Sequence, residues 1–320
     1  QQLRERCVDG DPDCDVLVIP HNPNLAGGLM FRDPLDDKEA SERLFFEPVV
    51  EITQHKGSSE CRFDRLAGRG LGTTDEDCSF EQYASDNHKA IGVLYGEQRA
   101  EEGRPKNLDE FAPRNMLRNV LKDGLALGQA SGTNPFRMGF IGSTDTHNST
   151  PGGTEEYSFV GHLGQRDGGY RNVQDHFADN PGGLAVVWAE ENSRDAIFDA
   201  IRRRETYATS GTRPVVRFFA GHGLDPALCD APDMVARAYE QAVPMGGELG
   251  PGEPAPRFLV SAQKDPGVAG HPGNDLQRVQ IIKGWVDDNG DTHERYVDVV
   301  TRDNSLGYSD DYDLVYDVWR

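Results

Sequence analysis

Short apolar runs rich in β-branched residues alternate with helical patterns through the first two thirds of the chain, and this alternation predicts an α/β domain. Residues 15–20 (Asp-Val-Leu-Val-Ile-Pro) and 48–53 (Pro-Val-Val-Glu-Ile-Thr) read as strands buried on both faces. Residues 61–110 are polar, Gly-rich and weakly periodic, an irregular excursion with a short helix expected near 79–95. From Pro113 the pattern turns helical: Met116, Leu117, Val120, Leu121 and Leu125 share one face, and Gly128 or Gly132 suits the end. Residues 136–141 and 184–188 read as further strands, separated by a long Gly/Asn/Asp loop over 148–181 of the kind that covers substrates. Ser193 is placed to cap a helix whose apolar face is Ala196, Ile197, Ala200 and Ile201.

After Arg213 the pattern changes. Strands are expected at 215–219, 257–260 and 279–282 without long helices between them, and a hairpin is expected around Asn289-Gly290. The expected organisation is therefore an α/β part, with a parallel sheet or a barrel, over 1–213 followed by a β-rich, sandwich-like part over 214–320.

Charge narrows the partners. Thirty-three basic against 54 acidic residues give a net charge of −21, which repels nucleic acid and anionic membranes. A small anionic substrate remains compatible, provided the site itself supplies cations. Five cysteines allow two readings: Cys7/Cys14 and Cys61/Cys78 have spacings that disulfides close, implying a periplasmic or secreted protein, whereas five free thiols would fit the cytoplasm. The sequence opens at Gln1 and stops in the strand-like Val-Tyr-Asp-Val-Trp-Arg320, so both ends are expected to be cuts in a longer chain.

Two strand ends carry the candidate chemistry. His21 follows the run ending at Pro20, and Gly-Ser-Thr-Asp145-Thr-His147 follows the strand at 136–141. Imidazole and carboxylate placed just past the C-terminal ends of parallel strands occupy the position where α/β folds do chemistry. An Asp-x-His turn presents one oxygen and one nitrogen to a small volume, as a divalent metal requires. Against this, a lone histidine after a strand is ordinarily a hydrogen-bonded loop residue. No phosphate-binding loop, dinucleotide fingerprint or nucleophile elbow is present, and the acidic run 287–291 lacks the closing glutamate of a calcium loop and reads as the hairpin turn. The remaining histidines, His88, His162, His176, His222, His271 and His293, lie in polar contexts and are expected at the surface.

Taken together, Ile-Pro-His21-Asn-Pro-Asn, Val-Glu51-Ile-Thr-Gln and Gly-Ser-Thr-Asp145-Thr-His147 resemble, in order, the last strands of the PHP (polymerase and histidinol phosphatase) superfamily. Thr144 is one residue more than that pattern has. The chain is more closely similar to a bacterial family of PHP-like proteins designated only as a domain of unknown function. That likeness rests on His-Asn-x-Asn at 21–24, Gln-His-Lys-Gly-x-Ser-Glu at 54–60, Asn-Pro-Phe at 134–136, Trp-Ala-Glu-Glu-Asn at 188–192 and Arg-Arg-Glu-Thr-Tyr-Ala-Thr-Ser-Gly-Thr-Arg at 203–213.

The resemblance implies a distorted (β/α)7 barrel, here partial, and a cluster of two or three divalent ions (Zn, Mn or Fe). His21, Asp145 and His147 would be its ligands, and Glu51 a ligand or an acceptor orienting a histidine. His55 is the candidate general acid, and Lys56 and Arg213 are candidate contacts for an anionic substrate, whereas Arg202, Arg203 and Arg204 read as the basic last turn of a helix. The His-x-His that such sites take from their first strand is absent, so the N-terminal half of the barrel is expected to be missing. The expected activity is hydrolysis of a small ester, foremost a phosphoester, by metal-activated hydroxide. Amide or lactone hydrolysis, or a non-catalytic binding role, are the alternatives.

Overall fold

The computed structural model of the protein describes residues 2–83, 106–159, 161–162, 181–301 and 314–317. The expected helix near 79–95 lies largely outside these residues, as do His88, His176 and residues 163–180 of the loop expected to cover the site. The chain divides into two compact units. The first comprises Gln1–Ile52, Ser58–Phe140 and Trp285–Thr292, and the second Thr53–Gly57, Ile141–Gly284 and His293–Arg320.

The first unit holds helix α1 (Asp37–Phe46), strand β1 (Val49–Gln54) up to Ile52, helix α2 (Leu117–Ser131) and the start of strand β2 (Gly139–Gly142). Asp36 caps α1 by accepting the Glu39 N–H at 2.8 Å. Helix α2 ends where Gly132 takes φ 86°, a left-handed C-cap that glycine adopts without a side-chain clash. Its apolar face packs Leu117 and Val120 against Val50, Phe31, Phe136 and Met138, all buried, with Phe31 and Phe136 edge-to-face at 5.6 Å. A smaller cluster surrounds the Cys61–Cys78 disulfide; a second disulfide joins Cys7 to Cys14.

Residues 15–20 form no strand. Val18 donates to Phe46 and Glu51 donates to Pro20, but these bonds do not continue into a ladder, and the segment is only partly buried up to Pro20. An apolar run alone does not make a strand; it needs a partner that satisfies its backbone along its length.

In the second unit, β3 (Leu184–Val187) pairs antiparallel with β4 (Thr206–Thr209) around α3 (Arg194–Arg202), capped by Ser193 accepting the Ala196 N–H. Beyond it, β5 (Val215–His222) pairs antiparallel with β6 (Pro256–Gln263), which also pairs in parallel with Leu314–Asp317. A helix absent from the sequence expectation, α4 (Met234–Gln241), covers this sheet through Met234 and Ala238 against Phe219, Leu228 and Leu259. The strands Arg278–Val286 and Thr292–Thr301 form the expected two-stranded ribbon. Its turn is a three-residue loop: Gly290 donates to Asp287, Asp287 to Asp291, and Gly290 takes φ 88°. Residue 213 lies inside the second unit.

Among the described residues the sheets are small and none closes into a barrel. No helix of the described residues is long and apolar enough to cross a membrane.

Candidate metal centre

Strands β1 and β2 are neighbours in one sheet. Gly139 donates to Pro48 near their starts and Ser143 donates to Thr53 near their ends, so partners advance together and the pair is parallel. Both strands therefore release their C-terminal residues side by side, where chemistry gathers in α/β folds. From β1 come His55 and Lys56 in a tight turn closed by Gly57 at φ 95°. From β2 come Ser143, Thr144, Asp145, Thr146 and His147.

Asp145 adopts φ 48°, a left-handed conformation that aspartate tolerates better than most residues. Thr144 is buried. Glycines make room for this turn. A Cβ on Gly182, itself at φ 89°, would lie 2.8 Å from the Thr144 Cα, and one on Gly183 would lie 2.6 Å from the Thr209 carbonyl oxygen. Asn148 secures the far side by donating to the Gly161 carbonyl at 2.7 Å, while Thr146 and Thr150 bond its side-chain oxygen.

The result is a group of three side chains, His55, Asp145 and His147, whose ligand atoms all lie within 4.8 Å of one another. His55 is buried, Asp145 half-buried and His147 exposed. The Asp145 Oδ2 lies 3.1 Å from the His55 Nε2 and also bonds the Lys56 ammonium. Burial by itself would raise the Asp145 pKa; the hydrogen bonds from His55 and Lys56, and then their charges, outweigh it and hold the carboxyl well below the usual carboxylate range. It is thus anionic at neutral pH.

His162, expected at the surface, is instead 1% exposed. Its ring packs 4.3 Å from that of His55 and 5.0 Å from that of Phe159, and its carbonyl accepts the His147 N–H at 2.7 Å. His162 thereby supports both histidines of the group. The apolar run Phe159-Val160-Gly161 just before it is the signal that sequence reading passed over.

The other expected residues are not members of this group. His21 is exposed on the first unit and is not in the group. Glu51 is buried there, its carboxylate accepting the Asn22 N–H at 3.1 Å, so it holds the left-handed turn beside His21. Arg213 donates to Glu155 at 2.6 Å and to the Gly152 carbonyl at 3.2 Å, tying down the segment after the Asp145 turn. Arg203 bonds Glu205 and Arg204 bonds the Gly246 carbonyl, which are structural uses.

Two imidazoles and one carboxylate suit Zn, Mn or Fe, and three protein ligands leave positions open, as in catalytic rather than structural sites. The donor set therefore fits a divalent ion.

A family model described as "Protein of unknown function (DUF3604)" matches residues 2–315, so the chain belongs to that family. No curated protein and no solved structure matches the chain.

Proposed function

We propose that this member of a family of unknown function is a metal-dependent hydrolase, foremost a phosphoesterase acting on a small anionic ester, built on a PHP-like scaffold. The observation that carries the reading is the convergence of His55, Asp145 and His147, from the ends of two adjacent parallel strands, within 4.8 Å. A divalent ion held there supplies Lewis acidity for ester hydrolysis. Asp145 provides the anionic donor, fixed by its left-handed turn; His55 is held from behind by His162; His147 faces outward, toward the side from which substrate arrives.

Lys56 favours an anionic substrate over a neutral amide or lactone. On a chain of net charge −21, an anion binds only where a local cation offsets the field, and Lys56 lies at the site itself. The two disulfides support a periplasmic or secreted location. His21 remains a candidate ligand on the family resemblance alone.

Two measurements on the purified protein test this. Elemental analysis after loading with zinc or manganese should find bound metal that is lost in His147→Ala. A panel of nitrophenyl phosphate, sulfate and carboxylate esters should show metal-dependent turnover with the phosphate ester ahead. Metal without turnover of any ester would support a binding role instead, and the absence of bound metal would end the hydrolase reading.

A further inference from the structure

The ammonium of Lys56 rests among the atoms an incoming ion would need. Its Nζ lies 2.8 Å from the His55 Nε2 and 3.1 Å from the Gln54 Oε1, and it bonds the Asp145 Oδ2. The Lys56 backbone N–H also bonds the Gln54 Oε1 at 3.0 Å, and Gln54 is buried at the end of β1, so the turn that carries the side chain is held in place. His55 and Asp145, two of these neighbours, belong to the metal-binding group. An ammonium offers three N–H donors and one unit of positive charge, so it satisfies these acceptors much as a cation does.

We infer that Lys56 is a built-in competitor for the metal site: its ammonium holds His55 and Asp145 together until a divalent ion displaces it. This rests on the metal-centre reading above and goes beyond it. Two positive charges cannot share one carboxylate oxygen at contact distance, so one occupant excludes the other. Metal–ligand bonds of about 2.0–2.2 Å are shorter than the hydrogen bonds Lys56 makes, so an ion also draws the donors inward as the ammonium leaves. The displaced Lys56, on a turn pinned by Gly57, stays near the site and becomes the cation available to the oxyanion of a bound ester. Metal loading and readiness for an anionic substrate are thereby one event.

Calorimetric titration of zinc and of manganese into the purified protein tests this in three forms: unaltered, Lys56→Met and Lys56→Arg. Competition lowers apparent affinity by the fraction of molecules with the site free, so Lys56→Met should bind metal about tenfold or more tightly than the unaltered protein. Lys56→Arg keeps the charge and should stay within about threefold of it. A second readout needs no variant: acetylation of Lys56 by acetic anhydride, followed by peptide mass spectrometry, should rise several-fold when metal is added. Equal metal affinity in the unaltered protein and Lys56→Met, together with metal-independent acetylation, overturns the competitor role while leaving the metal centre standing. Failure of all three forms to bind metal overturns the centre itself.

Discussion

The strand β1 and the turn that follows it are two things along eight residues. Over 49–52 it is core: Val49 and Val50 are wholly buried, and Val50 packs with Phe136 and Leu117. Over 53–56 the chain becomes a polar wall: Thr53, Gln54 and His55 are buried too, and His55 lies beside the Asp145 carboxylate. Burying polar atoms costs free energy unless they find partners, whereas burying valine is favourable outright. The first half of the strand therefore stabilises the fold that the second half uses. The same contrast holds between two carboxyls. Asp145 has His55 and Lys56 beside it and is held low, whereas Glu81, with no hydrogen bond to its buried Oε2 among the described residues, is pushed by burial up to about 7.

The comparison breaks most sharply at Phe136. Phe136→Ala should lower stability by about 3–5 kcal/mol in urea or thermal unfolding. Metal stoichiometry of the molecules still folded should not change, since the core and the polar wall have separate tasks. A change in stoichiometry would show that the two halves are coupled.

Next in size is the Cys61–Cys78 bond, which closes a loop of sequence separation 17 in the first unit. Replacing both cysteines by serine should cost about 3 kcal/mol by loop-closure entropy, again without loss of metal.

Glu81 sets a smaller, pH-dependent effect. A carboxyl whose folded pKa is raised stabilises fully below its unfolded pKa, and that stability is lost as pH rises through the folded value. Stability should therefore decline between the ordinary glutamate range and about pH 7, by on the order of 1–2 kcal/mol allowing for partial exposure, and Glu81→Gln should flatten the slope. Denaturant midpoints across pH 4 to 8 provide the check.

His147→Ala should have the least effect on stability, within about 0.5 kcal/mol for an exposed side chain. Its metal affinity should nonetheless fall at least about tenfold, because one of three donors is gone.

Sequence made the local features readable and left the convergent ones hidden. Leu117 and Val120 of the α2 face, its Gly132 end and the Ser193 cap follow from short-range periodicity and capping and are found, whereas Leu125 of the expected face is exposed. Asp145 and His147 were readable because Asp-x-His is a local pattern. His55 reads from sequence only as a possible acid, and its place beside Asp145 depends on β1 and β2 being neighbours, which no local signal states. His162 sits in a polar-looking stretch, and its burial comes from packing against His55 and Phe159. Residues 15–20 mislead in the opposite sense, being apolar and β-branched yet forming no strand. Helix α4 is short, and its Met234, Val235 and Ala238 spacing was outweighed by the strand patterns around it.

The central claim is that His55, Asp145 and His147 surround one divalent ion. Crystals grown with zinc, measured above and below the zinc absorption edge, test it most directly. An anomalous peak is expected about 2.0–2.2 Å from a donor atom of each of the three, with the Lys56 ammonium moved off the Asp145 oxygen. A zinc-loaded crystal with no peak there, or with its peak at other residues and Lys56 still bonded to Asp145, would contradict it.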